Sequence, residues 1–154
     1  MLTGPILFIS LIFYTATVSQ PLFYLIALGN ASRNMHAPAY IEMRHRIDEQ
    51  MRRNGAVVYY GTLFSTLLLV AVAFFEKNSM LPFAILAFAG LIADIAFMKR
   101  GNIPINAIIN TWTPEQYPVD WERQRDQWLK YFSYRQIALF TGFLSLLAGV
   151  VFPL

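Results

Sequence analysis

Asp94 is an ionisable residue inside an apolar stretch, about one helical turn from that stretch's basic end. A carboxylate in hydrocarbon is costly, faces the protein interior, and implies a partner or a task. The basic residue best placed to meet it is Arg135, at the mouth of the last apolar stretch. Together they could do acid–base work, with Asp94 as a general base and Arg135 stabilising a developing anion. They could equally form a structural ion pair, and the sequence leaves both readings open. Gln20 precedes Pro21, whose ring frees a backbone carbonyl close by. Gln20 and Asp94 are expected to line one polar cavity.

The histidines are His36 and His45. Glu42 and His45 form a Glu-x-x-His pair on one helical face, with Glu49 a turn further on. A di-iron bundle site needs two such pairs and two more glutamates, and the chain has one pair. Glu42, His45 and His36 remain candidates for a single metal or a haem, against the bland alternative of solvated histidines. No apolar stretch carries a histidine, which argues against haem held between helices by two imidazoles. Cysteine is absent, so disulfides, thiolate catalysis, Cys-ligated zinc and iron–sulfur clusters are excluded. There is no phosphate-cradling glycine loop, nucleophile elbow or zinc-protease motif. The sequence identifies no cofactor.

The elements that must position these residues are membrane spans. Charged residues make up 14% of the chain, well below the roughly 25% usual for soluble proteins. The apolar residues gather into four blocks, about 3–28, 56–75, 80–98 and 136–152, each long enough to cross a ~30 Å hydrocarbon layer. The expected fold class is an all-α membrane protein, a four-transmembrane-helix bundle forming one domain over 1–154. Met1-Leu2-Thr3-Gly4-Pro5 has no basic n-region, so the first block reads as a retained span rather than a cleaved signal. Pro21 should kink it, and the tight polar turn Glu76-Lys77-Asn78-Ser79 makes the middle spans an antiparallel hairpin.

Arg33, Arg44, Arg46, Arg52 and Arg53 lie between spans one and two, and Lys99, Arg100, Arg123, Arg125, Lys130 and Arg135 between three and four. Lys77 alone lies on the other side. The positive-inside rule then puts both long loops in the cytoplasm and both termini outside, in a plasma or inner membrane. The basic balance reports orientation, and no nucleic-acid partner is expected.

The loops should be structured. In Pro38–Asn54, Tyr40, Met43, Ile47 and Met51 recur at helical spacing, and Glu42–Arg46, Asp48–Arg52 and Glu49–Arg53 are i,i+4 pairs. This predicts an amphipathic cytoplasmic helix lying on the membrane or running into span two. Gly101 and Pro104 predict a helix break past span three. Thr113-Pro114-Glu115-Gln116 has the form of a capping box opening a short helix. Asp120 is the expected cap of a long helix leading into span four, with Trp121, Trp128 and Phe132 on one face. Trp112, Trp121, Trp128, Tyr117, Tyr131 and Tyr134 read as an interfacial aromatic belt. In span four, Ala138, Gly142, Ser145 and Gly149 form a small-residue stripe for close packing, or for docking a membrane partner or second copy.

The run Asn102-Ile103-Pro104-Ile105-Asn106, then Trp128-Leu129-Lys130-Tyr131-Phe132 and Arg135, resembles the small four-span anthrone-oxygenase-like proteins over about the last third of the chain. The resemblance implies a cofactor-lean oxidoreductase that oxidises polycyclic phenols to quinones. By position, Asn102, Asn106, Trp128 and Arg135 would be its polar cluster. With Asp94 as base and Gln20 nearby, they would form a substrate pocket open to the inner leaflet. A histidine base has no counterpart here. The expected function is binding, with oxidation in prospect, of a lipophilic aromatic or quinol-like molecule; the alternative is a non-enzymatic accessory or assembly subunit.

Overall fold

The computed structural model describes residues 2–152; Met1, Pro153 and Leu154, which fall within the predicted domain, lie outside them. The described residues form helices and turns, with no strand among them. Four helices carry the chain: α1 Thr3–Asn34, α2 Ala37–Phe75, α3 Leu81–Ile109 and α4 Trp121–Val151, each long and apolar enough to cross a membrane. Neighbours in sequence pack together, and α1 closes the ring against α4. The chain is an integral membrane protein. Its bundle turns large apolar side chains outward, among them Phe8, Phe64, Ile92 and Ile137, as only a lipid solvent allows.

The helices are longer than the membrane requires. The 39 residues of α2 extend about 58 Å, against a ~30 Å hydrocarbon layer. The excess of all four projects from one end as a polar head. The bundle therefore has two cores. One lies within the spans, around Tyr14, Leu69, Ala84, Ala87, Leu91 and Leu146. The other lies in the head, around Tyr24, Tyr40, Ile41, Ile109, Trp121, Trp128 and Phe132.

Three helices pass from span to head through one wide π-helical turn: Tyr24–Leu28 in α1, Met51–Gly55 in α2 and Met98–Asn102 in α3. The amide of Gly29 thus reaches Tyr24 O and that of Ile103 reaches Met98 O, five residues back. This turn replaces the break predicted at Gly101–Asn106. Pro104 sits in the first turn after it, where a missing amide hydrogen is tolerated, and α3 runs on to Ile109. Helix α1 likewise continues past Pro21 to Asn34, with its wide turn beginning three residues after the proline.

The helix predicted before span two runs directly into it. All three i,i+4 ion pairs form. The buried face, however, is Ala37, Tyr40, Ile41 and Arg44; Met51 is exposed, and Met43 and Ile47 are only half-buried. Helix α2 packs by the face that meets the other helices of the head, not by its most apolar stripe. Thr113–Gln116 opens no helix. Its amides and carbonyls bond to each other across the segment, with Thr113 Oγ1 accepting from the Gln116 amide. Asp120 precedes α4, but its side chain makes no capping bond.

At the far end of the bundle, Lys77 takes φ 49° in the α2–α3 turn. Glu76 accepts from the amides of Leu2 and Thr3 and from the Thr3 hydroxyl. Those donors, the Leu2 amide foremost, hold its carboxyl below the usual range.

Candidate functional site

Helix α3 delivers Asp94 to the span core fully buried, at 0% exposure. Its carboxylate meets Arg135 of α4, Nε to Oδ1 at 2.6 Å and an Nη to Oδ2 at 3.5 Å. From α2, the Tyr59 hydroxyl donates to Oδ2. Three helices thus converge on one carboxylate. Arg135 retains 12% side-chain exposure, enough for its guanidinium to lie toward the head while its stem stays apolar. Tyr14 on α1 lies deeper and donates to Ala87 O at 3.0 Å.

Gln20 does not join this group. It is half-buried and makes no side-chain hydrogen bond among the described residues. The amide that serves the Pro21 region is that of Gln136, donating to Pro21 O at 2.9 Å. The expected Gln20–Asp94 cavity is replaced by direct Tyr59–Asp94–Arg135 contact.

The other predicted polar residues gather in the head. Asn106 is the hub. Its Oδ1 accepts from Arg44 at 2.7 Å and from Trp128 Nε1 at 2.8 Å, while its Nδ2 donates to Asp48 at 3.1 Å. Arg44, buried at 4% exposure, also donates to the Tyr24 hydroxyl and lies 4.0 Å over the Trp128 ring. Asp48 additionally holds the Asn110 amide and pairs with Arg52. Asn102 donates to Trp128 O, and its buried Oδ1 has no partner among the described residues; neither have Arg44 Nε and the Tyr40 hydroxyl.

The predicted cluster is therefore two clusters. Asp94 and Arg135 lie among the spans, whereas Asn102, Asn106 and Trp128 lie in the head. One aromatic stack joins them. Arg135 lies over the Phe132 ring, Phe132 stacks on Trp128 at 4.8 Å, and Trp128 carries Arg44. The i, i+4, i+7 spacing of Trp128, Phe132 and Arg135 on α4 builds this ladder. Trp112, Trp121 and Trp128 are buried in the head core, so the tryptophans are not an interfacial belt; Tyr117 and Tyr134 stay exposed.

Glu42, His45 and His36 do not converge. Glu42 pairs with Arg46. His45 Nε2 bonds Ile109 O at 3.1 Å, capping the end of α3. His36 forms the link between α1 and α2. No three His, Asp or Glu side chains among the described residues are grouped as metal ligands. Arg125, also buried, donates to Arg33 O and so caps the end of α1.

The small-residue stripe of α4 is covered from within the chain. A Cβ on Gly90 would stand 2.6 Å from Ala138 O, one on Gly142 would stand 2.0 Å from the Tyr14 hydroxyl, and Ser145 donates to Phe83 O. The stripe packs α4 against α3 and α1.

Arg44, Asp48 and Tyr59 were not singled out for the site. In sequence Arg44 and Asp48 look like solvated charges of an amphipathic helix, and Tyr59 looks like an interfacial tyrosine. The signal available was Arg44 one turn from Tyr40 on the face that becomes buried. Comparison with protein-family models, curated proteins and solved structures finds no match to this chain.

Proposed function

We propose that this membrane protein binds a lipophilic phenolic or quinol-like molecule at the level of Asp94 and takes up its phenolic proton. The observation that carries this reading is a fully buried carboxylate already bearing a phenol, that of Tyr59, against a guanidinium. Tyr59 marks how a phenolic ligand arriving from the lipid would donate to Oδ2 in its place. Proton transfer to Asp94 then moves negative charge from carboxylate to phenolate without changing the net charge beside Arg135. The guanidinium stabilises both states, and the surrounding apolar core keeps that interaction strong. The resemblance to anthrone oxygenases supplies a reaction for the phenolate: dioxygen converts the ring methylene to a carbonyl and releases one water.

The test uses 1,8-dihydroxyanthrone with the detergent-purified protein, reading binding by equilibrium dialysis and reaction by oxygen uptake with quinone absorbance. The expected result is saturable binding, with an oxidation rate that Asp94→Asn lowers by about 10²-fold or more while the protein remains folded. Absence of saturable binding to the intact protein would overturn the reading. Binding without oxygen uptake would leave a carrier of such molecules and remove the enzyme.

We further infer that the head lies in the cytoplasm, because it holds the basic residues. The cysteine-free chain makes the check direct. A thiol at Ser79→Cys should be labelled by an impermeant maleimide in intact cells, and one at Glu122→Cys only after permeabilisation. The opposite pattern inverts the topology.

A further inference from the structure

A cleft of about 430 Å³ opens between α3 and α4 where span gives way to head, and neither cluster above uses it. Arg100 and Lys130 line it, with Gln127, Tyr131 and Tyr134, and no carboxylate does. Both cations are exposed, and neither has an ion-pair partner among the described residues. Elsewhere on the head, Arg46, Arg52, Arg53 and Arg125 are each matched to an acid.

Gly101 also lines the cleft, where α3 has no side chain. A Cβ there would stand 2.0 Å from the Tyr131 ring, so the ring lies flush on the α3 backbone. Tyr134 stands edge-on to it, centroids 6.2 Å apart, and packs on Phe97 of the span. The result is a recess with cationic and phenolic donors, walled by the two tyrosines and by apolar Pro104 and Ile105. Its level, just outside the apolar blocks, is that of lipid headgroups.

We infer that this cleft binds the phosphate of an anionic phospholipid, with Arg100 and Lys130 as its counter-charges. Basic pockets between spanning helices at a membrane edge suit such headgroups. The two tyrosines add hydroxyl donors at the depth where amphipathic rings settle. A soluble phosphate would find the same cations but would leave the apolar wall of Pro104 and Ile105 unused, and that distinction is testable.

The experiment measures lipid adducts by native mass spectrometry, and thermal midpoint, on the protein in a neutral detergent. Phosphatidylglycerol, phosphatidylcholine and inorganic phosphate are added in separate arms. The expected result is retention and stabilisation by phosphatidylglycerol, not by phosphatidylcholine, with Arg100→Gln/Lys130→Gln weakening apparent affinity about tenfold or more. Both side chains are exposed and unpaired, so the double variant should fold; its midpoint without lipid checks this. Arg123→Gln, an exposed cation outside the cleft, should leave the response unchanged. Equal loss with Arg123→Gln would mean diffuse charge attraction and overturn the site. Stabilisation by inorganic phosphate alone, to the same extent, would assign the cleft to a soluble anion and overturn the lipid reading.

Discussion

Replacing Arg135 by methionine should destabilise the protein by about 3 kcal/mol, more than any other single change at the site. The substitution keeps apolar bulk and removes the guanidinium that meets both oxygens of Asp94. The carboxylate left behind is fully buried, with only the Tyr59 hydroxyl for company. Desolvation of an uncompensated charge, not the lost contact itself, sets the size of the effect. Asp94→Asn should cost less. Its amide keeps a group of the same shape beside Tyr59, and the orphaned cation, 12% exposed, can lean toward the polar head. The double variant Asp94→Asn/Arg135→Met should recover much of the Arg135→Met loss, since neither charge then remains in the core. Thermal unfolding in detergent measures all three. Strictly additive losses would show that the two charges do not sense each other, and the site would lose its electrostatic basis.

The second large effect concerns the α3–α4 contact. Gly142→Ala should cost about 2 kcal/mol, because the added methyl would stand 2.0 Å from the Tyr14 hydroxyl and 3.1 Å from Ala87 O. Tyr14 is fully buried and donates to that same carbonyl, so it must both move and give up its bond. Adding Tyr14→Phe removes the obstructing oxygen and should return part of the loss. Gly90→Ala has no such remedy. Its methyl would stand 2.6 Å from Ala138 O, a backbone atom, so the helices themselves must separate. Glycine at these positions sets the interhelical distance that lets Asp94 and Arg135 meet. Unchanged melting of Gly90→Ala would mean that the helices pack less closely than described.

The membrane character, the number of spans, the polar turn at Glu76–Ser79 and the pairing partner of Asp94 were legible in the sequence. Each follows from a local or strongly constrained signal. Apolar length is dictated by bilayer thickness. A buried charge must find its opposite, and Arg135 was the basic residue at the facing helix mouth. The ion pairs Glu42–Arg46, Asp48–Arg52 and Glu49–Arg53 were equally legible, because i,i+4 geometry belongs to a single helix. What the sequence could not decide is how far each helix runs beyond the lipid and which face it then turns inward. The wide turns at Tyr24–Leu28, Met51–Gly55 and Met98–Asn102 add a residue to a helical turn and rotate the head relative to the span. Their only trace in sequence is a glycine or proline that reads just as well as a break. The continuation of α3 and α4 as helix beyond the lipid carries Asn102, Asn106 and Trp128 into the head and leaves Asp94 with Arg135 among the spans, dividing the predicted site. It also buries Arg44, a residue that any reading of charge pattern places in water. Its burial rests on Asn106, Tyr24 and the Trp128 ring, contributed by three different helices, and only the assembled bundle brings them together.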